Sequence, residues 1–249
     1  KKLSTIQAAY LLNDPTTGEL LALMDGILLT AMRTGATSAL ATKYLSRKNS
    51  ETLGIIGAGA QAPFQAEAIS KVRPIHRMLV YDMERRIAEN FSGAVSNSLR
   101  IPVHVMTSPR DVVVESDILV TVTTSTTPVF DGRHLKGGTH INAVGAYTPE
   151  MRELDDFTIG KSKIVVDTYE GCMAEAGDLL IPIRNGKLSK ENIYADLGEI
   201  VLGQKPARTR EDEITLFESV GFALEDLVVA SLAYGRASEK GVGLKFTLV

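Results

Sequence analysis

The residues best suited to chemistry lie around a glycine-rich turn. In Thr52-Leu-Gly-Ile-Ile-Gly57-Ala-Gly59-Ala-Gln61-Ala62 an apolar run breaks into glycines and then opens into a helical pattern. Leu53, Ile55 and Ile56 suit a buried parallel strand. Gly57 permits the tight turn, Gly59 lets a backbone approach a pyrophosphate where any Cβ would collide, and Ala62 takes the third small position. Beyond it Phe64, Ala68, Ile69 and Val72 recur on one helical face, and Pro63 falls in the first turn, where its missing N–H is harmless. The start of that helix would aim free N–H groups at phosphates. A second apolar strand, Met78 to Asp82, ends in an acid 25 residues after Gly57. A ribose-binding carboxylate is expected at roughly 20. Glycine-rich turns follow many strands, but this context points to a dinucleotide site, with a decayed binding fold as the alternative.

Arg33 is the second candidate. It sits in a helix predicted over Ile27 to Ser46, rich in small residues and flanked there by Thr30, Thr34 and Thr37. A guanidinium offers a planar fork for a substrate carboxylate, whereas the plainer reading is a surface charge or an ion pair. The helix is no membrane span, because Arg33, Gly35 and the threonines interrupt its apolar run. The run Thr123-Thr-Ser-Thr-Thr127 follows a predicted strand at 118–122; its hydroxyls either meet a cofactor or form a polar loop. The single cysteine, Cys172, has no neighbouring histidine and reads as a buried apolar residue. The four histidines, His76, His104, His134 and His140, show no metal-ligand spacing and read as structural or exposed.

The elements that must position these groups alternate. Ile6 to Leu12 and Leu20 to Met24 read as a hairpin turning at 13–18, too small to stand alone. After the polar boundary at 48–51 come helices at 84–97 and 111–115 and strands at 103–106, 118–122, 139–144 and 163–166. Helices are predicted at 172–180 and 192–202, a short strand at 215–219 and a long apolar-faced helix at 222–234. This is an α/β pattern: a Rossmann-type, doubly wound parallel sheet over 48–221, inserted in a smaller α+β domain of 1–47 plus 222–249 for substrate binding and dimerisation. With 27 basic against 30 acidic residues, nothing suggests a nucleic-acid or anionic-membrane partner. One cysteine excludes an internal disulfide framework and fits the reducing cytoplasm.

Several blocks now carry a resemblance. Asp25-Gly-Ile-Leu-Leu-Thr30-Ala-Met-Arg33-Thr34-Gly-Ala, Gly57-Ala-Gly-Ala-Gln61-Ala, Asn142-Ala-Val-Gly145, Arg152-Glu-Leu-Asp155, Glu175-Ala-Gly-Asp178 and Phe217-Glu-Ser219-Val-Gly221 stand in the order found in the ornithine cyclodeaminase/mu-crystallin family, which the whole chain resembles. The resemblance implies a homodimer that binds NAD(H) or NADP(H) and exchanges hydride with a carbon bearing nitrogen next to a carboxylate. By it, Arg33 matches the family's carboxylate-binding arginine, near the nicotinamide; Thr34, Ala60 and Gln61 match contacts to the cofactor phosphates, and Asp82 the ribose position. Val122, Thr124, Val144 and Ser219 match positions lining the adenine or nicotinamide side.

Two departures from the family matter. Its sheet-forming N-terminal segment, with a substrate-binding lysine, would precede Lys1. Its ornithine cyclodeaminases carry an aspartate where this chain has Tyr147, and an uncharged phenol cannot hold a side-chain ammonium. Tyr147 therefore shifts the expectation from ornithine or lysine cyclodeamination to reduction of a cyclic ketimine such as Δ1-pyrroline-2-carboxylate, with Tyr147 shuttling the imine proton or merely packing at the cleft wall. An alanine dehydrogenase-like enzyme and a non-enzymatic nucleotide binder are the further alternatives. Asp82 favours NAD(H) by repelling a 2′-phosphate, while Arg85 and Arg86 leave NADP(H) open.

Overall fold

The computed structural model describes residues 7–246. The chain forms two compact units, Thr34–Phe222 and a smaller one from the stretches before Thr34 and after Phe222.

In the smaller unit β1 (Ala9–Asn13) and β2 (Leu20–Asp25) pair antiparallel, with Leu11 opposite Leu23. The predicted hairpin is present, although its first residue, Ile6, lies outside the described stretch. The turn is fixed by Asp14, whose Oδ1 accepts from Thr16 N and Thr17 N at 2.8 and 2.9 Å, and by Gly18 at φ +75°. Side chains alternate as a pleat requires. Leu12 is buried with Leu29 and Ala230, whereas Leu11 and Leu23 are 60% and 55% exposed. Leu29 belongs to α1 (Gly26–Leu45), which runs on into the larger unit, and Ala230 to α9 (Ala223–Lys240).

The larger unit is built on an eight-stranded sheet whose pairs are all parallel. Along the chain come β3 (Thr52–Ile56), α2 (Ala62–Ser70), β4 (Arg77–Tyr81), α3 (Arg85–Leu99), β5 (Val103–Val105), α4 (Pro109–Glu115), β6 (Ile118–Thr121) and β7 (His140–Ala143). There follow α5 (Asp156–Lys161), β8 (Lys163–Val166), α6 (Tyr169–Glu175), α7 (Gly177–Arg184), β9 (Ile193–Asp196), α8 (Leu197–Val201) and β10 (Thr215–Glu218). Across the sheet the order is β5-β4-β3-β6-β7-β10-β8-β9. From β3 the chain winds outward to β5, then returns to the other side of β3 as β6, so the direction of winding reverses between β3 and β6.

Both faces of the sheet are covered. Leu53, Ile55, Met78, Val80 and Val120 pack with Ala66 and Ile69 of α2 and Phe91 and Val95 of α3. Ile56, Leu119, Ile141, Val166 and Leu216 pack on the opposite side with Val112, Ile159 and Leu179. Strands buried on both faces explain why the sequence shows apolar runs there rather than alternation.

Four details differ from expectation. Residues 192–202 are not one helix: Ile193–Asp196 is an edge strand in register with β8, and the helix begins only at Leu197. A capping box makes that start, Asp196 Oδ1 accepting from Glu199 N at 2.8 Å and Glu199 Oε2 from Asp196 N at 3.0 Å. The helix predicted at 172–180 is two helices meeting at Ala176, whose extended backbone ends one and starts the other. The buried side of α2 is Ala62, Gln65, Ala66 and Ile69, with Phe64 and Ala68 half-buried and Val72 beyond its end. The sequence reading has no helix where α5 stands; the strand expected near 215 is present as β10, inside the sheet between β7 and β8.

Close approach at β3 gives a test. A Cβ on Gly54 would fall 1.9 Å from Ser116 Oγ and 2.7 Å from Val112 Cγ1, both in the buried layer against β3. Gly54→Ala should destabilise the protein by about 1–3 kcal/mol in urea unfolding; an unchanged midpoint would contradict the packing described.

Candidate functional site

The site is built where the parallel strands end. After β3 the backbone turns at Gly57, with φ +96°, and a Cβ there would lie 2.8 Å from both Val122 O and Thr123 Cγ2. Only glycine meets both conditions. The turn is pinned from both neighbouring strands: Gly57 N donates to Tyr81 O at 2.9 Å, and Val122 N donates to Ile56 O at 3.0 Å. Asp82 adds the third pin, its Oδ2 accepting from Ala58 N at 2.8 Å while Oδ1 accepts from Glu84 N at 2.9 Å. The acid picked out for ribose thus touches the glycine turn itself.

Gly59 differs from Gly57. A Cβ there would meet nothing within 4 Å, and Gly59 and Ala60 are exposed. Gln61 is the residue before α2, and its side chain makes no capping bond. The turn therefore opens at the mouth of a helix N-terminus, as a diphosphate requires. Gly35, next to Thr34 on α1, packs against this mouth, since a Cβ on it would come 2.7 Å from Phe64 O.

The remaining expected residues line the same edge. Val122 and Thr124 follow β6, Val144 and Tyr147 follow β7, and Ser219 follows β10, the next strand across. Val122 and Val144 are half-buried, Thr124 is exposed, and Tyr147 is 47% exposed. Ser219 is buried, its hydroxyl donating to Asp167 Oδ2 at 3.0 Å. Thr34, Gly57, Gly59, Ala60, Gln61, Asp82, Val122, Thr124, Val144, Tyr147 and Ser219 all belong to the larger unit.

Arg33 belongs to the smaller unit, where its Nη1 meets Glu225 Oε2 at 2.9 Å and its Nε meets Asp226 Oδ1 at 3.1 Å. Both acids stand in the first turn of α9, where carboxylates are favoured by the helix dipole. The ion pair weighed as the plainer reading of Arg33 is therefore present, and it fixes the plane of the guanidinium.

The sequence blocks also contain acids to which no role could be assigned from pattern. Glu153 is fully buried, its Oε1 accepting from Thr123 N at 2.6 Å and its Oε2 from Gly145 N at 2.9 Å. Asp178, at the start of α7, accepts through Oδ1 from Glu153 N at 2.8 Å and Leu154 N at 2.7 Å. Glu218, at the end of β10, is buried with neither carboxylate oxygen hydrogen-bonded. Burial, then the charge of Asp178, pushes Glu153 up to about 7 against the pull of the Thr123 amide and of the Thr123 and Thr121 hydroxyls. Burial raises Asp178 to about 6, opposed by those backbone amides and by Arg152. Burial with the charges of Asp178, Glu153 and Asp167 holds Glu218 well above the usual carboxylate range. Their one signal in the sequence is that they fall in family-like blocks such as Arg152-Glu-Leu-Asp155; burial is not legible there.

Other candidates resolve into structural parts. Cys172 is buried with Sγ 3.2 Å from Asp167 Oδ1, and burial raises its thiol well above the ordinary value. His140 is buried between Thr215 Oγ1 and Asn142 Oδ1, and burial lowers it to about 3, so it is neutral. A cavity of about 640 Å³ opens where the strands begin, lined by Lys43, Arg47, Lys48, Arg73, Arg208 and Arg210 among others. Arg73 there donates to the carbonyls of Thr42, Lys43 and Ser46 at the end of α1, and Arg208 to those of Leu45 and Gly138. These guanidiniums hold chain ends together. Among the described residues no cluster of His, Cys, Asp or Glu is arranged to hold a metal, and no helix is long and apolar enough to cross a membrane.

The profile of the ornithine cyclodeaminase/mu-crystallin family matches residues 1–241. The chain belongs to that family. It is 45% identical over 242 residues to a Δ1-pyrroline-2-carboxylate reductase of Bacillus cereus, covering 97% of this chain and 74% of the relative. The solved Thermococcus litoralis Δ1-pyrroline-2-carboxylate reductase, in complex with NADH and L-proline, superposes with a TM-score of 0.96 at 48% identity, over 98% of this chain and 76% of that one. An archaeal alanine dehydrogenase dimer with bound NAD gives 0.94 at 38% identity, over 100% and 77% of the two chains.

The buried acids make stability depend on pH. Glu153 and Asp178 bind protons more tightly when folded than at their ordinary values of 4.5 and 3.8, so the native state holds more protons between those values and about 7 and 6. Stability must fall as pH rises through that window. Glu218 is held well above the usual range by burial and the charges of Asp178, Glu153 and Asp167, so it adds to this fall by retaining its proton on folding; Glu218→Gln, which cannot ionise, should reduce the fall and raise stability at pH 8 by about 1 kcal/mol or more. Denaturant unfolding of both proteins across the window checks it; parallel profiles would refute the shared-charge account.

Proposed function

We propose that the protein is an NADH-dependent oxidoreductase that reduces a cyclic ketimine carboxylate of the Δ1-pyrroline-2-carboxylate type to the cyclic amino acid. The observation that carries this reading is the 48%-identical reductase solved with NADH and L-proline, taken with a glycine turn in this chain that has room for a diphosphate. The residues present fit such a cofactor. Gly59, Ala60 and Gln61 would hold the diphosphate, with Thr34 beside it, and Asp82 would accept from the ribose hydroxyls in place of, or beside, Ala58 N. Val122, Thr124, Val144 and Ser219 would line the far half. Asp82 favours NAD(H) over NADP(H), because its carboxylate would face a 2′-phosphate with like charge.

When bound, the reduced nicotinamide supplies the hydride that goes to C2 of the protonated C=N, leaving an amine and NAD⁺. Arg33 takes the substrate carboxylate; its guanidinium is held in plane by Glu225 and Asp226, so what it contributes is orientation of one prochiral face. Tyr147, which is 47% exposed, exchanges the imine proton with solvent through its hydroxyl. An aspartate at that position would serve a second ammonium, as in ornithine; tyrosine suits an uncharged ring. The smaller domain is the site of substrate binding and homodimerisation. In support, Leu11 and Leu23 form an exposed cross-strand pair, and Leu224, Val228 and Leu232 stand exposed at four-residue intervals on α9.

A second reading, an alanine dehydrogenase, is favoured by the likeness to the archaeal enzyme. It would require ammonia and an open-chain keto acid.

Two experiments separate these roles. Gly59→Ala should leave stability of the free protein within about 0.5 kcal/mol, because its Cβ meets nothing, yet weaken NADH binding at least about tenfold, because the methyl occupies the diphosphate's place. Unchanged NADH affinity would overturn the cradle. Arg33→Lys should lower kcat/KM for Δ1-pyrroline-2-carboxylate by about 100-fold, through loss of the bidentate fork; an intact specificity constant would remove Arg33 from the site.

A further inference from the structure

We propose that Glu153 is a positioning residue for the redox step: its one carboxylate clamps the turns leaving β6 and β7 to each other and so fixes the wall against which the nicotinamide stands. The inference rests on the reductase reading, in which Val122, Thr124 and Val144 line the nicotinamide half.

The geometry is a chain of contacts. Thr123 lies between Val122 and Thr124 and Gly145 directly follows Val144, and their two amides converge on the two oxygens of a single side chain, at 2.6 and 2.9 Å. The strands beneath are hydrogen-bonded to one another up to Val144 N–Thr121 O, so the clamp takes over where the sheet stops. It is anchored from below, since Asp178 Oδ1 accepts from Glu153 N and Leu154 N. It is anchored from the side as well, because Arg152 N donates to Ser125 O at 2.8 Å and Val129 N donates to Glu153 O at 2.8 Å. Gly145 must be glycine for the clamp to close, as a Cβ there would fall 2.4 Å from Glu153 Oε2.

A purely structural role could be filled at lower cost. Amides at the end of a sheet are ordinarily satisfied by water, by a hydroxyl or by another carbonyl. Here they are held by a buried carboxylate facing Asp178 from α7 and sharing its surroundings with Glu218 from β10 and, beyond it, Asp167 after β8; Arg152 is the cation acting on Asp178. A charged acceptor binds two N–H groups at once, more strongly than a neutral one. A proton on either oxygen turns that oxygen into a donor and releases one turn. Burial and Asp178 place this event at about pH 7.

The test uses the complete protein and two near-isosteric variants. Glu153→Gln keeps the volume but offers one acceptor and an NH2, so only one of the two amides can be held. Hydrogen exchange should show one of the Thr123 and Gly145 amides losing protection by at least about tenfold. With NADH and Δ1-pyrroline-2-carboxylate, kcat should fall at least about tenfold while NADH affinity changes less than about threefold. The wild-type kcat should decline as pH drops through about 7, and this limb should vanish in Glu153→Gln. Asp178→Asn retains the Oδ1 acceptor and removes the like charge, so it should move the limb to lower pH. Both amides remaining protected in Glu153→Gln, or a limb unmoved in Asp178→Asn, overturns the proposal. If the wild type fails to reduce the imine, the reductase reading fails, and the exchange experiment still decides whether the clamp exists.

Discussion

A diphosphate can rest against a protein backbone only where no Cβ intervenes, and the turn between β3 and α2 meets that condition twice in three residues. At Gly57 the constraint comes from within: the left-handed backbone and the Val122 carbonyl leave no space for a side chain. At Gly59 it faces outward, with open space where a methyl would sit. The first glycine makes the turn and the second leaves it usable. The parallel sheet then places this turn where the winding direction reverses, so that residues leaving β6, β7 and β10 assemble beside it.

The acids show how that edge is held in shape. Asp82 pins the turn through Ala58 N, Glu153 ties Thr123 to Gly145, and Asp167 gathers Ser219, Val220 and Gly221. Each carboxylate accepts from main-chain N–H groups left over where strands end, so one side chain does for two or three amides what the sheet does along its length. Arg33 is held by the converse arrangement, a guanidinium set between Glu225 and Asp226.

The sequence made the fold readable wherever local pattern and global position agree. Apolar runs such as Leu53 to Ile56, closed by glycine or an acid, are central parallel strands, and the 20-residue α1 follows from a proline-free stretch rich in Ala, Leu and small residues. Legibility failed where tertiary contacts decide. Ile193 to Asp196 reads equally well as the first turn of a helix, and only its register against β8 and the capping box at Asp196 make it a strand. At the site, glycines announce themselves because their conformational freedom is a property of the residue. Glu153 does not, since a glutamate in the pattern Arg-Glu-Leu-Asp looks the same whether it faces water or is sealed beneath two strand ends.

The chain belongs to the ornithine cyclodeaminase/mu-crystallin family, and the proposed cofactor site rests on the glycine turn. The most direct measurement is the structure of the protein with NADH bound. The expected result is diphosphate oxygens within hydrogen-bonding distance of the amides at Gly59 to Gln61, a ribose on Asp82, and the nicotinamide against Val122 and Val144. A diphosphate bound elsewhere, or a nicotinamide remote from those two valines, would contradict it.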